Sequence, residues 1–526
     1  MPLSFTKESK TIFLLWLSAL GLRILYSCLF TDEFILGNDQ VQNIILARRF
    51  GAGDFYGVLH TYWTPVYPIL IGIVSFFTNS LTLPSTIVSI LAGSLAIPLF
   101  YFFVKQSYGQ REALIAAVLA VFYPHLVNSS VFEVGSENIY LLWIVGSLFF
   151  GWKALQNNNV KNYLLTGVLL GLAYLTRPEA FAYPFYFAAL ACVKNLIEKT
   201  LVSRGILLRI AVLILGFTVL ATPYILYLKS ETGIWTVSAK AQKNIASGAV
   251  SEFEDKEDTI PKQLSLGKTI KSVVKEIPLS LVVVHKNLPY LLPIFLMLLI
   301  GLGLFNKPWD RSRLEREIYL ILFCLITFLG YAATVVQTRY FYILLPIFFG
   351  WIAAGIIRFE IWFYDSFPKL VTQKEFSLDR KKFLAVCLLL IFLYTLPLNY
   401  FINKRDTAFE ERDAGLWLKE NSKPSPLVYS ASLLPVFYAE GTKLKSTLTD
   451  QEQILELIES NPVDFVITGE RSEIRNTYLK GFTEKLENSP DFELIYRNNK
   501  RTKYEISIFR VKRDGGFKNS SQTGLQ

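Results

Sequence analysis

Long apolar runs separated by short charged connections dominate the first 400 residues of this chain. A helix that crosses a bilayer needs about 20 mostly apolar residues, within a range of roughly 17 to 25. Runs that meet or approach this length lie at 11–30, 84–104, 112–127, 138–155, 205–228, 288–305, 317–335, 340–357 and 383–400. A further stretch, 163–196, is interrupted at "TRPEA", which predicts a hairpin of two short spans, 163–176 and 180–196. The count comes to about eleven spans. The segment "PVYPILIGIVSFF", 65–77, is short and proline-flanked, and is read as an interfacial or re-entrant helix.

The pattern changes after residue 401. "PLVYSASLLPVFYAEG" and "NPVDFVITGE" read as short buried strands, and "DQEQILELIES" as an amphipathic helix between them. "DFELIYRNN" and "KYEISIFRV" form a closing strand pair. The predicted architecture is a polytopic α-helical membrane domain over 1–400 and a small soluble α/β domain over 401–513. A Gly-, Ser- and Gln-rich tail, 514–526, is expected to be disordered. No internal repeat is strong enough to support the inverted-repeat design of a secondary transporter.

Composition agrees with a membrane protein. The chain is 52% hydrophobic and 18% charged, with a mean hydropathy of +0.36, against roughly 25% charged residues in soluble domains. Its net charge of +10 comes from Lys and Arg spread between the apolar runs, which points to cytoplasmic loops and away from nucleic acid. The basic bias places the amino terminus in the cytoplasm of a cell bounded by its inner or plasma membrane. The first run lacks a small-residue cleavage site and is read as a retained span. The extracytoplasmic face then receives the loops 31–83, 128–137 and 229–287 and the C-terminal domain. The four cysteines lie in or beside apolar runs, and His60, His125 and His285 are far apart. Neither set has metal-site spacing.

Four features of that outer face carry candidate chemistry. Asp39 opens "NDQVQNIILA", where Val41, Ile44, Ile45 and Arg48 fall on one face of an expected interfacial helix. Its ordinary use there is as a helix cap. Glu137, in "SSVFEVGSENIYLLW", begins a span, where an acid is also favoured by the helix dipole. Arg177 interrupts an apolar stretch and is followed by Pro178 and Glu179, so a turn stabilised by an Arg–Glu pair competes with an anion contact. Arg339 stands beside Tyr340 and Tyr342 at the end of another span, where a snorkelling arginine is the ordinary reading. Two acids and two guanidiniums on one face could hold a phosphate-linked lipid donor and activate a hydroxyl or amine acceptor beside it.

The serial order of these motifs resembles the GT-C superfamily of membrane glycosyltransferases, nearest the protein O-mannosyltransferase and lipid A aminoarabinose transferase group. The likeness runs from about residue 11 to 360 through "NDQVQNIILA", "YWTPVYPIL", "SENIYLL", "LLTGVLLGLAYLTRPEA" and "TRYFYILLPIFFGWIAAG". It implies an inverting transfer of a sugar from a polyprenyl-phosphate-linked donor to a lipid, glycan or protein acceptor outside the cytoplasm. By the same resemblance Asp39 and Glu137 are the catalytic acids. Arg177, Arg339, Glu179, Tyr340 and Tyr67 complete the candidate substrate-binding set. Gln40 and Asn43 depart from the family's Asp-Glu pair with a following tyrosine, and Trp63-Thr64-Pro65 departs from its His-Pro-Pro. These departures leave a divalent-cation requirement open, and no metal ligand is assigned. The rival reading is a transporter or flippase of a lipid-linked substrate, which needs charges deep within the spans.

Overall fold

The computed structural model describes residues 6–30, 37–78, 80–197, 204–240, 278, 282, 288–305, 308–332, 337–368, 379–403, 408–446, 448–498 and 504–512. The expected tail 514–526 and most of the loop 229–287 lie outside the described residues. Two compact units result: one of residues 1–34, 42–252 and 259–405, the other of 35–41, 253–258 and 406–526.

The first unit is helical. In chain order its described helices are α1 (Lys7–Leu29), α2 (Asn38–Gly51), α3 (Val66–Ser75), α4 (Leu83–Tyr108), α5 (Gln110–Phe122), α6 (Pro124–Val131) and α7 (Glu137–Asn157). They continue as α8 (Val160–Thr176), α9 (Tyr183–Ile197), α10 (Arg204–Thr232), α11 (Ile294–Leu304), α12 (Arg311–Ala332), α13 (Leu345–Ser366) and α14 (Arg380–Asn403). The first four residues of α2 group with the second unit. A helix stands on each of the eleven runs read as spans. Among the described residues six segments are long and apolar enough to cross a membrane: α1, α4, α7, α10, Pro178–Ile197 and Thr338–Ser366. A seventh counts if α5 and α6, bent by 46°, act as one.

That bend falls inside the run 112–127. The residue before a proline is pushed out of the α region, and Tyr123, before Pro124, has ψ 122°. The chain restarts as α6, so the turn ahead of α7 shrinks to residues 132–136. Helix α3 rises only about 15 Å, too little to cross a bilayer, which agrees with a re-entrant segment. Helix α2 is more deeply docked than an interfacial helix: Val41, Ile44, Leu46 and Ala47 are buried, along with polar Gln40 and Asn43, and Arg48 is exposed. Where α8 passes α10 the backbones touch, for a methyl added at Gly167 would stand 2.1 Å from the Leu213 carbonyl oxygen. Small residues permit such approaches between membrane helices.

One of the charges sealed within this unit stands on α1. Arg23 of α1 is 1% exposed; its Nε donates to Ser130 Oγ at 3.1 Å, Nη1 to the Ala19 carbonyl at 3.1 Å and Nη2 to the Leu126 carbonyl at 3.4 Å. The Ser129 hydroxyl in turn donates to Asn138 Oδ1 at 3.1 Å. This polar seam ties α1 to α6 and the start of α7.

The second unit is a five-stranded sheet of order β2-β1-β3-β5-β4. Its strands are β1 (Leu427–Ser430), β2 (Thr442–Lys443), β3 (Phe465–Gly469), β4 (Phe492–Asn498) and β5 (Ile506–Val511). β1 runs parallel to β2 and β3, and β5 antiparallel to β3 and β4. Neighbouring residues serve opposite cores: Tyr429, Val466 and Phe509 pack in one, Val428, Ile467 and Ile508 in the other. This is the two-residue period of a strand buried on both faces. Asp450 caps the helix Gln451–Ser460 by accepting from the Gln453 amide at 3.1 Å. The expected strand in "SASLLPVFYAEG" is in part a helix, Leu434–Tyr438, because Pro435 at its start suits a first helical turn.

Candidate active site

Three interruptions of the helices build the site. The first lies between α6 and α7. The Phe132 and Glu133 amides both donate to the Asn128 carbonyl, at 2.7 and 3.1 Å, which closes α6. Val134 then adopts φ 27°, a conformation that costs a β-branched residue energy. Tyr67 supports it, its buried hydroxyl donating to the Val134 carbonyl at 2.8 Å. Tyr67, one of the residues expected to bind substrate, is thus a strut for the turn. Glu137 follows as the first residue of α7, 5% exposed. Ser136 makes no side-chain cap bond there. An added methyl at Gly135 would stand 2.0 Å from Glu137 Oε2, so the carboxylate folds back over a glycine.

The second and third interruptions supply the cations. Pro178 ends α8, and Arg177 before it is extended at φ −151°, ψ 126°. Gln337, also extended, precedes a 3₁₀ turn, Thr338–Leu344, that carries Arg339. The Arg177 Nη1 donates to Glu137 Oε1 at 2.9 Å, and its Nη2 to Glu179 Oε1 at 3.3 Å. Arg339 Nε lies 3.5 Å from the same Glu137 oxygen and donates to Gln337 Oε1 at 2.7 Å. The Tyr340 ring lies 4.4 Å from the Arg177 guanidinium and 5.7 Å from that of Arg339. It is itself stacked on Tyr331 at 5.2 Å.

Five of the seven residues expected from sequence therefore converge: Glu137, Arg177, Glu179, Arg339 and Tyr340. Tyr67 acts from below. Asp39 stands partly buried in the first turn of α2 and groups with the second unit, so it is described apart from this cluster.

Spacing in the sequence did not reveal two further features. Tyr342 donates to Glu133 Oε2 at 3.3 Å, adding a carboxylate on the turn that leads to Glu137. Lys240 stands with its ammonium 4.4 Å from the Trp63 ring and 4.9 Å from that of Tyr62. The aromatic pair precedes "TPVYP", a signal visible in the sequence, but its partner is remote in the chain. Among the described residues no group of three or more His, Cys, Asp or Glu side chains could hold a metal ion.

The family of dolichyl-phosphate-mannose-protein mannosyltransferases has a sequence model that matches residues 63–224, the stretch containing Glu137 and Arg177. Among solved structures, the apo oligosaccharyltransferase of Archaeoglobus fulgidus superposes with a TM-score of 0.58 at 14% identity, over 88% of this chain and 69% of that one. ArnT from Cupriavidus metallidurans, bound to undecaprenyl phosphate, superposes with a TM-score of 0.57 at 13% identity, over 94% of this chain and 96% of that one. The chain has the GT-C superfamily fold. A comparison with curated protein sequences finds none that matches. Within the GT-C frame the chain is an integral membrane protein. The charges of the Glu137 cluster stand at helix interruptions.

Proposed function

We propose that this chain is an inverting glycosyltransferase that moves a sugar from a polyprenyl-phosphate-linked donor to a lipid, glycan or protein acceptor. The observation that carries the reading is the pair of guanidiniums held on one carboxylate, at helix interruptions of a GT-C fold. The full arrangement has eleven spans and a cytoplasmic amino terminus. The Glu137 cluster and the C-terminal domain then face outward, at the inner or plasma membrane.

In the reaction the acceptor hydroxyl or amine attacks the anomeric carbon opposite the phosphate. The bond from that carbon to the phosphate oxygen breaks, and the electron pair leaves with the polyprenyl phosphate. Asp39 takes the acceptor proton, a role that rests on the order of motifs. Arg339, the more exposed of the two arginines, faces the charge that develops on the leaving phosphate. Glu137 already accepts from Arg177 and lies against Arg339, so its work is to hold both forks in place. A planar fork fixed by carboxylates needs no reorganisation when phosphate charge appears. No metal ion is written into the step; loss of transfer in a chelator would require one.

The test is release of free polyprenyl phosphate from a labelled donor in proteoliposomes. The wild type releases it with an inverted anomeric product, and a folded Asp39→Asn variant is slowed roughly 100-fold or more. Movement of intact donor across the bilayer with no release would establish the flippase reading instead.

A further inference from the structure

The turn that delivers Glu137 is held at both of its ends. Its middle rests on Tyr67, which donates to the Val134 carbonyl, and on Ser89 of α4, which donates to the Gly135 carbonyl at 3.5 Å. Its flanks, the end of α6 and the start of α7, are tied together by the seam that begins at Arg23.

Arg23 is a guanidinium in an apolar span, and it pairs with no carboxylate among the described residues. A lone buried charge is costly, and charges inside membrane spans are kept for function more than for stability. Two of its hydrogen bonds leave α1 for α6, Nε reaching Ser130 and Nη2 the Leu126 carbonyl. Ser130 Oγ in turn lies 2.9 Å from the Leu126 carbonyl oxygen and 3.3 Å from Asn138 Oδ1, to which Ser129 also donates. Asn138 follows Glu137 directly and is 1% exposed. Its Nδ2 is buried with no hydrogen-bond partner among the described residues, a cost that an apolar side chain would not carry. What this seam supplies is a fixed geometry.

Helix α4 is shaped to admit it. A methyl added at Gly93 would stand 2.5 Å from Ser130 Oγ and 3.2 Å from both Arg23 Nε and Asn138 Oδ1. Gly93 lies one helical turn beyond Ser89, so one face of α4 meets both supports of the turn.

We propose that Arg23 is a positioning residue for transfer: through Ser130, Ser129 and Asn138 it fixes the turn between α6 and α7, and with it the Glu137 carboxylate that holds both arginine forks. This rests on the glycosyltransferase reading, because the rate it tunes is that of sugar transfer. It also gives the strained Val134 backbone a second restraint, independent of Tyr67.

The experiment measures polyprenyl phosphate release from a labelled donor, per folded molecule, by the full chain in proteoliposomes. Hydrogen exchange over residues 128–140 is followed on the same samples. Arg23→Met should lower kcat roughly tenfold while donor KM changes by less than about twofold, because the forks act on charge that develops in the transition state. Protection over 128–140 should be lost, and that around Glu317 kept. Arg23→Lys should recover part of the rate, since an ammonium can still reach an acceptor on α6. Gly93→Ala, which alters no charge, should reproduce the loss. Added to Gly135→Ala, which displaces Glu137 directly, Arg23→Met should cause little further loss, because both act on one carboxylate. A double variant slowed by the product of the two factors would overturn the proposal, as would wild-type kcat in folded Arg23→Met. If Arg23→Met does not fold, Ser130→Ala removes the same link with a smaller change, and wild-type kcat there would overturn it equally. A wild type that releases no polyprenyl phosphate would instead sink the glycosyltransferase reading, and the exchange data would still decide whether Arg23 sets the turn.

Discussion

Two buried charge clusters in the helical unit use the same kinds of residue for different ends. Around Glu317 of α12, 1% exposed, the Tyr108 hydroxyl donates at 2.9 and 3.1 Å, Trp351 Nε1 at 2.7 Å and Arg316 Nη2 at 2.9 Å. The remaining nitrogens of Arg316 are also used, Nε by Glu317 and Nη1 by the Ser107 carbonyl. About 21 Å along α12, near Tyr331, the Glu137 cluster is built from the same materials but is not closed. It keeps an unbonded Arg177 Nε and Glu179 Oε2 among the described residues, and its members stand on turns, one of them through a residue at positive φ. A saturated ion pair is a structural anchor. An unsaturated one on strained backbone has capacity left for a ligand.

The largest expected effect breaks that contrast directly. Arg177→Met leaves Glu137 and Glu179 without their shared cation, and removing one partner of a buried pair costs about 3–5 kcal/mol. Transfer by the folded fraction should fall at least about 100-fold, and Arg177→Lys should not restore it, because one ammonium cannot span two carboxylates as a fork does. Glu317→Gln should lower the melting temperature by a comparable energy while each folded molecule keeps its transfer rate. Equal behaviour of the two variants in a paired melting and turnover measurement would abolish the distinction.

What the sequence makes legible divides along the same line. A helix stands on each apolar run read as a span, because hydropathy is a local property, and "TRPEA" marks the break at Arg177. The short apolar run in "NPVDFVITGE" places β3 for the same reason. The pairing of Glu137 with both arginines was foreseen only as a shared face; no spacing rule says that one carboxylate receives both guanidiniums. The bond from Tyr67 to the Val134 carbonyl was not legible, because the two residues are 67 positions apart in the chain. Lys240 fell in a loop whose partners are set by tertiary packing. The bend at Tyr123 was missed although Pro124 announced it, since the run remained apolar through it.

A smaller effect sharpens the account of the open cluster. Gly135→Ala places a methyl where Glu137 Oε2 now lies, and the carboxylate, as the far end of a flexible side chain, can swing aside. The helices keep their packing, so stability should change by less than about 1 kcal/mol. Transfer should nevertheless fall roughly tenfold, because misplacing a preorganised group by a fraction of an ångström is costly to rate. An unaltered rate in Gly135→Ala would show that Glu137 is only a structural counter-ion, as Glu317 is.

The smallest effect concerns a buried carboxylate in the second unit that has no ion pair of its own among the described residues. Glu411 accepts from the Ser432 hydroxyl at 2.6 Å, while the neighbouring Arg471 pairs with Glu410. Burial pushes the Glu411 carboxyl above the usual carboxylate range; Ser432, Arg475 and Arg471 oppose the shift, and Glu410 adds to it. The sign follows from proton binding: between its unfolded and folded values the native unit holds the proton more often than the unfolded chain does, so stability falls as pH rises through that window. The contribution is fully present below the ordinary carboxylate value and is lost above the raised one. Hydrogen exchange of the β3 amides in the full chain, corrected for intrinsic rate, should show protection declining with pH through this range by a few-fold. Glu411→Gln, neutral throughout, should flatten that decline. Exchange around α7, in the other unit, supplies the control, and Glu411→Gln should leave it unchanged.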